Sequence, residues 1–425
     1  MKILHTSDLH LGHTLYSYDR LLEQKDCLRQ IESIIKEQKP DAYIICGDIY
    51  HTTSPQNSAQ EMLISHLLKA HSIAPDMSII VTAGNHDSNK IEITDPLWNL
   101  VGVSIIASIK RNILEGEENE AFYQALYTRH IHTVKKNSEP IGYVIAIPHC
   151  YPGNFPVVAA GLSRQDRQKE FIKLLMQEVE RLNTNNLPVI VMSHTAVRPA
   201  GEGKLQAVGQ DLDIIGGIDM ISEADFGEGY DYVALGHIHY PQNISDKMRY
   251  SGAPLPVSFD ENFQHSVSLV TIDKHGDQPK IDAIDIVNKM PLITIPSQSP
   301  NNREQSLPWN EAEVVFRNMD KNKKCYVRLN ITDDGNIPVA AKDVAARIPE
   351  ECGLKAKFCL INRVRIKNDE DRGAEDRVRI TTAELGRTSP IELAMLYLND
   401  IKQGLDQDTI NLLKETISEV ESTQE

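Results

Sequence analysis

Short apolar, β-branched runs that break off into clusters of Asp, His or Asn organise the first 260 residues. The runs cover residues 2–5, 42–46, 78–82, 189–192 and 232–235. The clusters after them are Ser7-Asp8-Leu9-His10, Gly47-Asp48, Gly84-Asn85-His86-Asp87, Ser193-His194 and Gly236-His237-Ile238-His239. Continuous apolar runs of about four to eight residues suit buried strands. Helical spacing at 21–37, 59–71 and 165–182 separates several of them. That alternation predicts an α/β layered fold with mixed or parallel strands. In such sheets reactive groups gather just past the carboxyl ends of the strands, where all five clusters fall.

After Gly252 the pattern changes. Tyr250-Ser251-Gly252-Ala253-Pro254 with Pro256 reads as a turn-rich bridge, and 265–272 alternates like an antiparallel strand. Residues 290–310, rich in Pro, Ser, Asn and Gln, read as a linker or seam. A smaller α+β unit is expected next, with strands at 325–331 and 355–366 around a helix at 341–348, and then two short amphipathic helices at 389–400 and 409–420. The expected division is 1–275, 276–388 (linker and small domain) and 389–425.

At 425 residues the chain exceeds the size of most single cores. Its 41% apolar and 24% charged residues suit a soluble globular protein. No apolar run is long enough to span a bilayer or serve as a signal core, so the expected location is the cytoplasm and no membrane partner is expected. Six scattered cysteines without a CxxC pair fit neither a zinc framework nor a disulfide scaffold; buried thiols in a reducing compartment are the expectation. A net charge of −16 argues against a surface that grips nucleic acid throughout. Any action on DNA must rest on a local site, on metal charge or on a partner.

Imidazole, carboxylate and amide oxygen together suit divalent ions such as manganese, with iron, magnesium or zinc as alternatives. Two ions about 3.5–4 Å apart clamp both the attacking and the leaving oxygen of a phosphoryl transfer, and a carboxylate readily bridges them. Asp48, in the central Gly-Asp turn, is the choice for that bridge. The glycines before Asp48, Asn85 and His237 fit turns that need positive φ or close backbone approach. Singly, each piece has an ordinary reading: Asp8-x-His10 a solvated turn, 84–87 a plain turn, His194 a hydrogen-bonded core histidine. Gly-His-x-His places both imidazoles on one side only if extended. It is their combination, each at a strand end, that points to metal chemistry. His5 and His149 are assigned to packing or loop roles. Arg20, in the loop 12–20, is open between a DNA-phosphate contact and a surface salt bridge.

Asp-x-His, Gly-Asp, Gly-Asn-His-Asp, a lone His and Gly-His-x-His, in that order, resemble the calcineurin-like metallophosphoesterases. More narrowly, Ile3-Leu4-His5-Thr6-Ser7-Asp8-Leu9-His10-Leu11-Gly12, with Tyr250 to Pro254 and Ser258-Phe259-Asp260-Glu261, is similar to the SbcD-type nuclease subunits of bacteria. The resemblance is strong over about residues 1–275. It implies a four-layer sandwich of two mixed sheets flanked by helices, with a smaller α+β capping domain and C-terminal helices. It also implies that Asp8, His10 and His239 hold one ion, that Asn85, His194 and His237 hold the other, and that Asp48 bridges them. His86 would meet the charge of the scissile phosphate or protonate the leaving oxygen, with Asp87 orienting its ring. His51 is open between helping catalysis and a solvated loop.

The resemblance implies a metal-dependent DNA nuclease, a 3′-to-5′ double-strand exonuclease and single-strand endonuclease, acting with an SbcC-like coiled-coil ATPase through the C-terminal helices and as a homodimer within a heterotetramer. No arginine lies in Gly47-Asp48-Ile49-Tyr50-His51-Thr52-Thr53-Ser54-Pro55, which weakens a protein-phosphatase reading. A small-molecule or cyclic-nucleotide phosphodiesterase is the alternative, and a non-catalytic scaffold a more distant one. Basic Arg363, Arg365, Lys367, Arg377 and Arg379 are nearly cancelled by Asp369, Glu370, Asp371 and Asp376, as on an ordinary solvated face.

Overall fold

Side chains alternate across a strand with a period of two, and the first strand, Lys2–Thr6, is covered on both sides. Ile3 enters a layer shared with Ile44, Cys46, Ile80, Ile190, Met192 and Ala234. Leu4 faces the other way, among Ile45, Val81 and the helix residues Leu28, Ile31 and Ile35. The computed structural model describes residues 1–109, 120–150, 155–156, 163–199, 205–206, 221–298 and 305–365. The chain divides into two units, Met1–Ile331 with Ile337–Asn362, and Thr332–Asn336 with Arg363–Glu425. The expected C-terminal helices and Lys367, Arg377 and Arg379 lie outside the described residues.

Two six-stranded sheets form the body of the first unit. One runs Lys280–Asp285, Ser266–Thr271, Lys2–Thr6, Ala42–Cys46, Ser78–Thr82, Val103–Ile106. Its last four strands are mutually parallel, and Ser266–Thr271 pairs antiparallel to Lys2–Thr6. The other runs Gln242–Ser245, Met248–Tyr250, Tyr232–Gly236, Val189–His194, Glu139–Ile147, Ile131–Lys136, with a parallel centre and antiparallel edges. Helices Leu21–Gln38 and Asn57–Ile73 cover the outside of the first sheet. Helix Arg164–Leu182 covers the second through Phe171, Ile172, Leu175 and Val179. Helix, sheet, sheet and helix make the four layers expected. Each buried aliphatic side chain contributes about 1.5–3 kcal/mol.

The helix ends follow local rules. Ser163 accepts from the Asp166 N–H at 3.1 Å, an N-cap whose signal is legible in Ser-x-x-Asp. Lys39 turns left-handed (φ 48°) to close Leu21–Gln38, returning its N–H to the Ile35 carbonyl at 2.9 Å.

A three-stranded sheet, Leu292–Ile295, Cys325–Asp333 and Ala356–Arg365, follows, with helices Trp309–Arg317 and Ala341–Cys352. Two expectations are corrected here. The 290–310 stretch is not simply a linker, because Leu292–Ile295 pairs parallel with Cys325–Asp333 inside it. The turn-rich bridge begins later than Tyr250, which ends the strand Met248–Tyr250. All six cysteines are free, but only Cys27, Cys46 and Cys325 are buried.

Candidate metal centre

Every predicted cluster sits where a central strand stops, and the two sheets point these ends at one another. The turns are strained: Asp8, His10, Asp48 and His237 have φ of 53°, 43°, 48° and 98°, a region non-glycine residues seldom adopt. Cross-strand hydrogen bonds hold them, from Asp8 N–H to the Gly47 carbonyl and from His10 N–H to the Asp48 carbonyl, both 3.0 Å. The His237 N–H donates to Asp8 Oδ1 at 3.1 Å, tying the second sheet to the first. Of the three preceding glycines only Gly47 has positive φ (78°). Gly84 and Gly236 are required by close approach, since a Cβ there would strike the Asp48 carboxylate or the Cys46 carbonyl.

Two of the three donor groupings among the described residues contain carboxylates. Asp8, His10 and His239 form one, with His10 Nε2 3.1 Å from His239 Nε2. Asp8, Asp48 and His194 form another. Asn85 Oδ1 completes it, 3.0 Å from His194 Nε2 and 3.1 Å from His237 Nδ1. Asp48 lies between the sets, Oδ2 3.8 Å from His10 Nε2 and Oδ1 3.4 Å from His194 Nε2.

The surroundings fix which nitrogens face inward. His194 Nδ1 donates to the Cys46 carbonyl at 2.9 Å, so Nε2 is the atom turned toward Asp48 and Asn85. His239 Nδ1 donates to the Glu261 carboxylate at 2.9 Å, turning Nε2 toward His10. Two imidazole nitrogens at 3.1 Å are favourable only with a proton or cation between them. Burial alone would lower the His194 imidazole, but Asp48 and Asp8 push it up to about 9. Burial would likewise raise the Asp48 carboxyl, but His194, His10 and His86 hold it well below the carboxylate range. Inward-facing imidazole nitrogens converging with two carboxylates and an amide oxygen fit two divalent cations.

His86 lies beside this centre, its ring 5.1 Å from that of His10 and stacked 5.7 Å from His51. Its Nδ1 donates to the His51 carbonyl at 2.9 Å. The expected partnership with Asp87 is therefore corrected. The Asp87 carboxylate accepts instead from the N–H groups of Ile49 (3.0 Å), Tyr50 (2.9 Å) and Gly84 (2.8 Å). Asp87 knits the Gly-Asp and Gly-Asn-His-Asp turns together, and burial with the nearby Asp48 charge raises its carboxyl to about 6. His51 is brought into the cluster with His10 and His86.

Two other readings change. Arg20 is only 2% exposed and pairs with Glu23 (2.9 Å) and the Pro256 carbonyl (2.5 Å), so neither a DNA contact nor a surface salt bridge describes it. His149, assigned to packing or a loop, is 6.0 Å from the His194 ring, at the rim of the centre. His5 is a packing residue, fully buried on Tyr232 Oη (2.9 Å), and burial drives its imidazole down to about 3. Glu261, the buried partner of His239, is the candidate that pattern reading does not reach. Its only signal was the run Ser258-Phe259-Asp260-Glu261, which says nothing of a contact 22 positions back.

The calcineurin-like phosphoesterase family matches residues 1–241. The SbcD component of the SbcCD nuclease from Rhodobacter capsulatus is 28% identical over 70% of this chain and 72% of its own. The same component from Escherichia coli K12 is 23% identical over 95% of both chains. That from Bacillus subtilis 168 is 27% identical over 69% of this chain and 71% of its own.

Proposed function

The chain belongs to the calcineurin-like phosphoesterase family, a two-metal hydrolase, and on that premise we propose that it is a DNA nuclease subunit that acts with a coiled-coil ATPase in end processing, repair, recombination and replication. The observation that carries the reading is the likeness to the Escherichia coli nuclease component, which spans 95% of both chains and so extends beyond the phosphoesterase region. Hydrolysis of a phosphodiester rather than a binding role is supported by the sequence, which carries every donor that the family resemblance implies.

Asp8, His10 and His239 would hold one ion and Asn85, His194 and His237 the other, with Asp48 offering one oxygen to each set. When bound, such a pair neutralises phosphate charge and lowers the pKa of water, and manganese suits the mixed nitrogen and oxygen donors. The protein's own part is orientation. With Nδ1–H committed to the His51 carbonyl, His86 presents Nε2 to the substrate side, where in its protonated form it donates to the departing oxygen. Glu261 keeps the His239 ring in its ligand tautomer.

The same reading includes a homodimer. Ile64 (44%), Leu68 (46%), Ile93 (74%), Leu97 (67%) and Leu100 (83%) expose large apolar side chains along Asn57–Ile73 and the turns after Ser88. Of these, Ile64, Leu68 and Leu97 line one surface hollow, and exposed apolar patches mark interaction sites. No described helix is long and apolar enough to cross a membrane, and the cytoplasm is where a chromosomal substrate would be met.

The test is a manganese-dependent assay on single-stranded DNA, 3′-ended duplex and bis-p-nitrophenyl phosphate, with and without the ATPase. Cleavage of both DNAs, stimulated by the ATPase, is expected. Activity on the small ester alone would favour a nucleotide phosphodiesterase, and inactivity in every divalent metal a scaffold. Removing residues from Ser389 onward should abolish co-purification with the ATPase; unchanged binding would refute that contact.

A further inference from the structure

Beside the ligand set lies a histidine to which neither motif nor metal assigns a role. His13 is 9% exposed, its N–H returns to the His10 carbonyl at 3.0 Å, and its ring packs edge-on against His51 at 4.5 Å. Its Nδ1 lies 3.2 Å from Arg20 Nη1. A guanidinium has donors only, so Nδ1 must accept, and the ring proton resides on Nε2. That Nε2–H has no partner among the described residues, and the ring that carries it packs against His51.

Arg20 is itself held from three directions. It donates to Glu23 Oε2 at 2.9 Å and to the Pro256 carbonyl at 2.5 Å, in the loop that leads to Glu261. Glu23 in turn accepts from Tyr326 Oη at 2.6 Å, a fully buried tyrosine on the strand Cys325–Asp333. Gln24 clamps the same turn, donating to the His10 carbonyl (2.9 Å) and accepting from the Gly12 N–H (3.1 Å). A chain of buried polar contacts thus runs from the three-stranded sheet through Glu23 and Arg20 to the imidazole.

We infer that His13 is a substrate-positioning residue, a fixed neutral Nε2–H donor to a non-bridging oxygen of the phosphodiester held at the metal centre. The inference rests on the phosphodiesterase reading and adds a specific contact to it. A donor whose tautomer is imposed by an arginine cannot serve as a base at Nε2; it offers a hydrogen bond that does not depend on capturing a proton. Arg20 is then the residue that sets the tautomer: its Nε–H is set against Glu23, and Nη1 is shared between the Pro256 carbonyl and His13 Nδ1.

The experiment compares His13→Phe, which keeps a ring but no polar atom, with His13→Gln, whose amide can accept from Arg20 and still donate outward. Two readouts are taken with metal content and melting temperature as controls: kcat and KM on bis-p-nitrophenyl phosphate, and anisotropy binding of a phosphorothioate oligonucleotide. His13→Phe should lose about tenfold in kcat/KM and in oligonucleotide affinity, the worth of a hydrogen bond to a charged group, with metal content unchanged. His13→Gln should stay within about twofold of wild type. An active wild type with His13→Phe unaffected, or His13→Gln as impaired as His13→Phe, would overturn the inference and leave the functional reading standing. A wild type inactive on every phosphodiester would overturn both.

Discussion

Replacing Glu261 by Gln isolates one buried carboxylate from the proposed metal ligands themselves. Its side chain is fully buried, with Oε1 2.9 Å from His239 Nδ1 and Oε2 3.1 Å from the Val257 N–H. Both neighbours are donors, so the carboxylate is the one group of this shape that satisfies both. Glutamine brings one oxygen and one NH₂, and leaves a donor facing a donor whichever way it turns. An unsatisfied buried N–H costs about 1–3 kcal/mol.

The charge matters as well. Burial alone would lower the His239 imidazole, and the Glu261 carboxylate is what raises it, making Nε2 a stronger electron-pair donor. Loss of an outer carboxylate of this kind lowers metal affinity or activity about 10- to 100-fold, which corresponds to about 1.4–2.8 kcal/mol. Calorimetric manganese titration should show one of two sites weakened by that factor, the one built on Asp8, His10 and His239. Activity should return at higher manganese. If Glu261→Gln is folded and both sites keep wild-type affinity, Glu261 is a loop anchor for Val257 and the orienting role is wrong.

Other perturbations separate the remaining roles. His86→Ala should lower turnover about 10²- to 10⁴-fold while metal analysis finds near wild-type content; joint loss of both would sink the division between ligands and His86. Arginine at Leu97 and Leu100, which are 67% and 83% exposed, should shift sedimentation from dimer to monomer without altering bis-p-nitrophenyl phosphate hydrolysis. Stability should fall in mild acid. Burial holds His5 and His130 at about 3, below the ordinary 6.5, so the unfolded chain binds protons first. Their stabilisation is complete above pH 6.5 and declines by about 1.4 kcal/mol per pH unit for each as pH falls toward 3. Urea midpoints at pH 7 and pH 5 should differ accordingly, and the difference should shrink in His130→Asn.

The sequence was most legible where one physical rule dominated. Residues 42–46 and 78–82 are apolar on both faces, and their strands begin and end where the pattern does. Glu139–Ile147 was missed although it is central in the second sheet, because Glu139, Pro140 and Gly142 at its start obscure the apolar run that follows. Leu292–Ile295 was hidden in a Pro- and Ser-rich stretch whose composition reads as linker; its pairing with Cys325–Asp333 is a long-range fact. The candidate ligands stand out in the sequence because each turn carries its own Gly, Asp, Asn or His. Their supporting groups do not. Asp87 looks like a partner of adjacent His86, yet its oxygens are taken by three backbone N–H groups that only the folded turn brings together. Arg20 looks like a surface charge until Glu23 and Pro256 enclose it.

The strain at the centre explains why it is built between two sheets rather than on one. Asp8, His10, Asp48 and His237 all have positive φ, and non-glycine residues in such conformations cost about 1–3 kcal/mol each. Together that is comparable with the whole stability of a typical domain, about 5–15 kcal/mol, so a weakly packed scaffold would relax out of it. His237, at φ 98°, lies furthest from the left-handed region that side chains tolerate. Its N–H is held by both oxygens of Asp8, at 3.1 and 3.3 Å. A candidate ligand of the first sheet, Asp8, therefore fixes the backbone that carries a candidate ligand of the second, His237. The apolar layer between the sheets, from Ile3 and Ile44 to Met192 and Ala234, is what keeps those strand ends in register. Packing of the two sheets and assembly of the metal centre are in this sense one event.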